Sequence, residues 1–214
     1  MNGIFKEYHP DIVYHAAAHK HVPLMETSPN EAIKNNVFGT WKTAQAAAMH
    51  GTKKFVLIST DKAVNPTNIM GASKRIMEDV IFSYSDKFPV KTARFANVAF
   101  SNGSLPAGFL ARLQKLQPLS APSDVKRYFV SPEESGQICM LACMLGDNRE
   151  IFFPKLAEEQ MMTFDAIATN LLLDNGYEVL SCASDEEAIE KAEALKHGSR
   201  LYPVHYTVSD TSGE

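Results

Sequence analysis

The chain has 214 residues, 45% of them hydrophobic, with a formal net charge of −4. That length suffices for one large domain or a domain with a smaller lobe, and the apolar share is ordinary for a globular protein. The acidic balance offers no basic footprint for nucleic acid, no run of about 18 apolar residues offers a membrane span, and MNGIFKEYHP lacks the apolar centre of a secretory signal. The three cysteines, Cys139, Cys143 and Cys182, are odd in number and lack metal-type spacing. Buried thiols in a reducing, cytoplasmic setting are the expectation.

In chain order, DIVYHAA (residues 11–17) reads as a short buried strand. NEAIKNNVFGTWKTAQAAAMH, Asn30 to His50, reads as a long helix behind a Ser-Pro start, with Gly51 positioned to stop it. KFVLIS, Lys54 to Ser59, is an apolar run too short for a helix and reads as a second strand. A helix from about Ile69 to Tyr84 and a strand over Lys91 to Val98 follow. Strand, helix, strand, helix, strand at this spacing predicts an α/β fold, a Rossmann-like doubly wound parallel sheet with crossover helices. From Ala99 the pattern breaks into Gly-, Pro- and Ser-rich loops, then a helix over Ser131 to Gly146 and a strand in REIFFP.

From Met161 the character changes. TFDAIATNLLLDNGYEVLSCASDEEAIEKAEAL reads helix, strand, helix. The strand after NGYEV is similar to one in receiver domains, but the segment is too short and carries no acidic phosphorylation pocket. A small helix-strand appendage is the better reading. The expected division is 1–100 as a partial dinucleotide-binding domain with the catalytic segment, 101–160 as a small mixed substrate-binding lobe, and 161–214 as an α/β appendage.

A dinucleotide fold opens with a strand and a G-x-G-x-x-G turn. None of the 11 glycines stands in that pattern. The expectation is an N-terminally truncated domain that by itself binds NAD weakly or not at all, because the pyrophosphate rests on that turn and the helix behind it.

YHAAAHKHVPLME, NEAIKNNVFGT, STDKAVNPTNIMGASKR and NVAFSNGSLP together resemble the extended short-chain dehydrogenase/reductase superfamily. More narrowly they resemble its polysaccharide-biosynthesis branch, which contains UDP-N-acetylglucosamine 4,6-dehydratases. The resemblance covers about residues 5–155. The S-T-D-K-A-V-N-P-T-N block carries most of its specificity.

The resemblance implies NAD as cofactor, a nucleotide-sugar substrate, a cytoplasmic location and a homo-oligomer. It implies a cofactor site made by His15, Ala16, Ala17, Ala18, Lys20, Asn36, Ser59 and Lys74. Small residues at 16–18 let backbone approach the cofactor closely, and helix–sheet packing of the alanines is the alternative. Lys20 offers a point charge to phosphates. Asn36, a poor helix former in mid-helix, supports the active-site lysine and nearby backbone in that family. His15, His19 and His21 invite a metal, but no carboxylate or cysteine completes a ligand set, so none is expected.

The implied catalytic set is Thr60, Asp61, Lys62, Met70 and Lys74. Removing water across C5–C6 of a hexose needs a base at C5 and an acid at the C6 hydroxyl, after C4 has been oxidised. Lys62 and Asp61 match those roles, given pKa values displaced toward neutrality. A turn-capping aspartate beside an exposed lysine is the alternative for that dipeptide alone. Ser59 and Thr60 end the second strand at the ligand-binding edge of an α/β sheet.

Most relatives carry a tyrosine four residues before the lysine, where this chain has Met70. A thioether cannot exchange a proton. Three explanations stand: a dead enzyme, a packing residue with the C4 proton leaving through Thr60 or a water held by Lys74, or a shifted alignment. A methionine subfamily of these dehydratases favours the second. Asn97, Ser104, Pro106 and Arg127 match substrate contacts, the arginine facing the diphosphate. The alternatives to dehydration are epimerisation in the same superfamily and an inactive fragment that only binds.

Overall fold

The structure is a computed structural model that describes residues 1–209. In chain order it contains α1 (Asn2–Tyr8), β1 (Ile12–His15), α2 (Val22–Thr27), α3 (Pro29–Glu31), a π-helical run (Ala32–Val37), α4 (Phe38–Met49) and β2 (Lys54–Thr60). A 3-10 turn (Asp61–Ala63), α5 (Ile69–Phe82), β3 (Val90–Phe95), β4 (Asn97–Val98), α6 (Leu105–Gln114), β5 (Leu119–Pro122), β6 (Lys126–Arg127) and β7 (Phe129–Val130) follow. The rest comprises α7 (Pro132–Leu145), β8 (Ile151–Phe152), β9 (Met162–Thr163), α8 (Phe164–Asp174), β10 (Glu178–Cys182), α9 (Asp185–Ala192) and β11 (Leu201–Thr207), with short 3-10 turns.

Two compact units result. The first joins Met1–Ala96 with Glu133–Lys155. Its sheet is all parallel, in the order β1-β2-β3-β8, with Tyr14 beside Val56, Leu57 beside Thr92 and Thr92 beside Ile151. Phe55, Val56 and Leu57 are fully buried in the middle of β2, as a parallel strand covered on both faces requires. Phe5, Ala44, Ala47, Met77, Ile81, Phe88 and Val90 complete that core.

On α5 the buried residues are Met70, Gly71, Ser73, Lys74, Met77, Glu78 and Ile81, one face at helical spacing. Three of those seven, Ser73, Lys74 and Glu78, are polar or charged, so this face serves more than packing. Asn68 caps the helix, its Oδ1 accepting the Gly71 N–H at 2.8 Å.

The helix expected over Asn30 to His50 is present but not uniform. Residues 32–37 widen to π geometry, a local feature that recurs at functional sites. The strand expected over Lys91 to Val98 is two strands. β3 pairs with β2 only as far as Thr60 beside Phe95, where β2 ends, and Asn97 then pairs with Phe129 in a different sheet.

The second unit joins Asn97–Pro132 with the described residues 156–209. Its sheet is β10-β11-β5, parallel, with Val204 beside Leu119. The residues from 161 on are therefore no separate appendage: two of their strands share a sheet with residues 119–122. A lone strand between two helices cannot bury its own apolar side. Phe109, Leu119, Leu172, Tyr202 and Val204 form the shared core, and the Tyr202 hydroxyl donates to the Gln117 carbonyl at 2.6 Å.

Candidate active site

The carboxyl end of β2 runs directly into the 3-10 turn that carries Asp61 and Lys62. Thr60 Oγ1 donates to Asp61 Oδ1 at 2.8 Å, and the Lys62 backbone N–H donates to the same oxygen at 2.8 Å. Lys62 Nζ lies 3.8 Å from it. One carboxylate oxygen thus holds threonine, turn and lysine together. Asp61 is half-exposed at 51% and the Lys62 side chain is mostly covered at 18%. A half-exposed carboxylate stands beside a lysine drawn inward.

The turn rests on the first turn of α5. No side chain fits at position 71, because a Cβ there would meet the Lys62 carbonyl oxygen at 2.6 Å. One turn further on, Lys74 is 7% exposed and its Nζ donates to the Ile58 carbonyl at 3.1 Å. Burial pulls its pKa down from 10.5 to about 8, while the negative charge of Glu78 works in the other direction. An ammonium that holds its proton this loosely also attracts anionic and hydroxyl partners.

Met70 is buried among Val22, Met25 and Ala32. Its side chain belongs to an apolar cluster under α2, which accounts for a thioether at this position by packing alone.

At the end of β1, His15 Nε2 lies 2.9 Å from Thr40 Oγ1. The Thr40 hydroxyl gives its single proton to the Asn36 carbonyl at 2.6 Å. The histidine must therefore donate through Nε2, leaving Nδ1 unprotonated. Burial first, and the charge of Lys74 second, pull the His15 pKa down to about 4, so the ring is neutral at pH 7. Ala16 and Ala17 are exposed and Ala18 half-buried just beyond it, and Lys20 is exposed.

Asn36 is fully buried in the π run and makes three side-chain bonds. Oδ1 accepts the His19 N–H at 2.7 Å, and Nδ2 donates to the His19 carbonyl at 3.0 Å and to Ser73 Oγ at 2.8 Å. It fastens the loop after β1 to α5, meeting the residue next to Lys74 rather than the lysine itself. Ser59 is 5% exposed and its Oγ has no hydrogen-bond partner among the described residues.

The remaining candidates belong to the second unit. Asn97 opens β4, and Ser104 is the N-cap of α6, its Oγ accepting the Ala107 N–H at 3.3 Å. Pro106 is buried in the first turn of that helix, and Arg127 in β6 donates to the Lys126 carbonyl at 2.9 Å. Among the described residues no three His, Cys, Asp or Glu side chains come together as a metal requires.

Sequence reasoning missed Gly71, Thr40, Ser73, Glu78 and Arg94. Only Glu78 carried a signal, standing four residues after Lys74 on one helical face.

NAD was expected from the resemblance, and the residues of the first unit fit its nicotinamide end. Alanines without bulk follow β1, Lys74 offers an ammonium with only one bond to backbone, and Ser59 offers a buried hydroxyl without a partner.

The chain is 39% identical over 205 residues to a probable polysaccharide biosynthesis protein EpsC of Bacillus subtilis, covering 94% of this chain and 33% of that one. It is 33% identical over 170 residues to an inverting UDP-N-acetylglucosamine 4,6-dehydratase of Campylobacter jejuni, 75% of this chain and 51% of the relative. A UDP-glucose 4-epimerase of Rickettsia bellii is 34% identical over 151 residues, 68% and 44%. The fold matches the dTDP-glucose 4,6-dehydratase DesIV of Streptomyces venezuelae, solved with NAD and TYD bound, at a TM-score of 0.72 and 19% identity, covering 98% of this chain and 68% of that one. The chain thus spans a third to a half of the length of these curated relatives. Residues 1–211 match one family throughout, and the chain belongs to it: the polysaccharide biosynthesis proteins.

Proposed function

We propose that the protein acts in NAD-dependent 4,6-dehydration of a nucleotide-linked amino sugar of the UDP-N-acetylglucosamine type, feeding surface glycans. The observation that carries this reading is the Asp61–Lys62 pair on the 3-10 turn, both tied to Thr60 through one oxygen.

NAD, when bound, supplies the hydride acceptor for C4 and the hydride returned at C6. Around that chemistry the chain's residues move protons. Thr60 takes the C4 hydroxyl proton as it passes its own to Asp61 Oδ1, to which it already donates at 2.8 Å, or a water held by Lys74 carries the C4 proton to that carboxylate. Lys62 in its neutral form removes the C5 proton, which a C4 ketone makes acidic. Asp61 in its protonated form delivers a proton to the departing C6 hydroxyl, its half-exposed carboxyl suiting contact with a sugar. Lys20, Ala16, Ala17 and Ala18 would line the cofactor, and Asn97, Ser104, Pro106 and Arg127 the nucleotide sugar. The free thiols of Cys139, Cys143 and Cys182 suit a reducing compartment, and the cytoplasm is the proposed location.

Epimerisation has support from relatives of that name. A 4-epimerase has no leaving group at C6 to protonate, so the acid beside the base argues for dehydration. The test is product analysis by NMR, with UDP-N-acetylglucosamine and NAD, on this chain and on the longest reading frame that contains it. A 4-keto-6-deoxy sugar supports the proposal. A C4 epimer alone overturns it.

A further inference from the structure

The buried face of α5 carries an ion pair that the reaction above does not use. Glu78 is 1% exposed and lies one helical turn from Lys74. Arg94 of β3 grips it with two parallel bonds, Nε to Oε1 at 2.9 Å and Nη2 to Oε2 at 2.6 Å. Residue 94 is paired in register with Ser59, so the guanidinium enters from the strand beside the one that ends in the catalytic turn.

A buried pair of this kind is a weak source of stability, since desolvation offsets its attraction. Here it has a third charge beside it. Lys74 is almost as buried as Glu78, and opposite charges at i, i+4 on a helix are neighbours. Arg94 occupies both carboxylate oxygens, which fixes the carboxylate in place. Lys74 then keeps its bond to the Ile58 carbonyl rather than swinging down to Glu78.

We propose that Glu78 and Arg94 are positioning residues for Lys74: the Arg94-clamped carboxylate maintains the lysine's charge in a dry site while leaving its Nζ aimed at the end of β2. The proposal rests on the reading that Lys74 belongs to the active site, but its test does not depend on the reaction.

Elements around α5 carry other charged groups. His15 of β1 is neutral at pH 7, its pKa lowered by burial first and by the charge of Lys74 second. Asp61 and Lys62 pair with each other on the turn above, and Glu26 of α2 accepts the Ile69 N–H at 2.7 Å. Lys91 of β3 is buried, Lys34 of the π run pairs with Glu31, and Lys42 of α4 is exposed. On α5 itself Arg75 pairs with Asp79. The acid whose charge reaches Lys74 is Glu78.

The experiment is an NMR titration of the whole chain with labelled lysine, the Lys74 side-chain signal being assigned by its loss in Lys74→Met. The wild-type signal is expected to titrate near pH 8. Glu78→Gln should move the midpoint down by about 1 unit, the lower range for loss of an opposite charge within about 4–6 Å. If the unpaired Arg94 unfolds that variant, the double substitution Glu78→Gln with Arg94→Met replaces both charges by neutral side chains of similar size. Its Lys74 midpoint should also fall. An unmoved midpoint in a folded variant overturns the proposal and reduces the pair to a structural tie. Arg94→Lys keeps the charge without the fork, and restoration of the wild-type midpoint there by charge alone would overturn the clamping part.

Discussion

The Lys62 carbonyl oxygen lies 2.6 Å from where a Cβ of residue 71 would sit, so Gly71 is what lets the turn of Asp61 and Lys62 settle on α5. The obstacle is backbone and not a flexible side chain. Gly71→Ala must push the turn away, and Asn68 Oδ1, 3.3 Å from the same point, blocks one direction of escape. Overpacking of this kind costs about 1–3 kcal/mol. Chemical denaturation should show that loss, and turnover in the longest reading frame containing the chain should fall further than stability alone explains.

Asn36 is the second fastening. Asn36→Asp keeps an acceptor for the His19 N–H but loses both donated bonds, to the His19 carbonyl and to Ser73. It also buries a charge. A destabilisation of about 3–5 kcal/mol is expected, typical of an uncompensated buried charge. Asn36→Leu, which leaves the His19 groups unsatisfied, should cost about 1–3 kcal/mol for each group. Amide exchange in residues 16–20 should accelerate in both.

Met70 sits in an apolar cluster, so Met70→Leu should retain substantial activity and lose less than about 1.5 kcal/mol of stability. Thr60→Val should hurt more. It keeps the shape but deletes the hydroxyl that holds Asp61 and stands at the head of the proposed C4 proton path. Steady-state assays of the two variants at several pH values decide this. An inactive Met70→Leu beside an active Thr60→Val would mean that the sulfur makes a specific contact.

His15 gives the fold a pH dependence. Its pKa falls from 6.5 in the unfolded chain to about 4 in the fold. Between those values the unfolded state binds a proton that the folded state does not, so stability rises with pH across the window from 4 to 6.5. The penalty is full below pH 4, absent above 6.5, and amounts to about 3 kcal/mol. His15→Gln removes the titration and should flatten that part of the curve of unfolding free energy against pH. An unchanged slope would show that other groups carry it.

KFVLIST was legible as a strand because it is a short apolar run between helical patterns, and Phe55, Val56 and Leu57 are fully buried in it. DIVYH was legible by the same pattern, but the burial expected of it is confined to His15, with Ile12 and Tyr14 exposed. The end of β3 was not legible. Its strand-like sequence continues through Phe95, Ala96 and Val98, and only the end of β2 decides where pairing stops. β11 was missed because Pro203 stands in its middle, and proline is depleted in central strands. The Asp61–Lys62 pair was visible in the sequence as neighbours. The bond from Thr60 that unites them was not, and neither was the Arg94 grip on Glu78, since 16 residues separate those two and no local pattern joins them.

Lys62→Ala in the longest reading frame containing this chain tests the central claim most directly. With UDP-N-acetylglucosamine and NAD in deuterated water, the variant should form reduced nicotinamide yet incorporate no deuterium at C5 and release no 4-keto-6-deoxy product. Dehydration at a rate near wild type, with deuterium at C5, would contradict the account and leave Lys62 a structural residue.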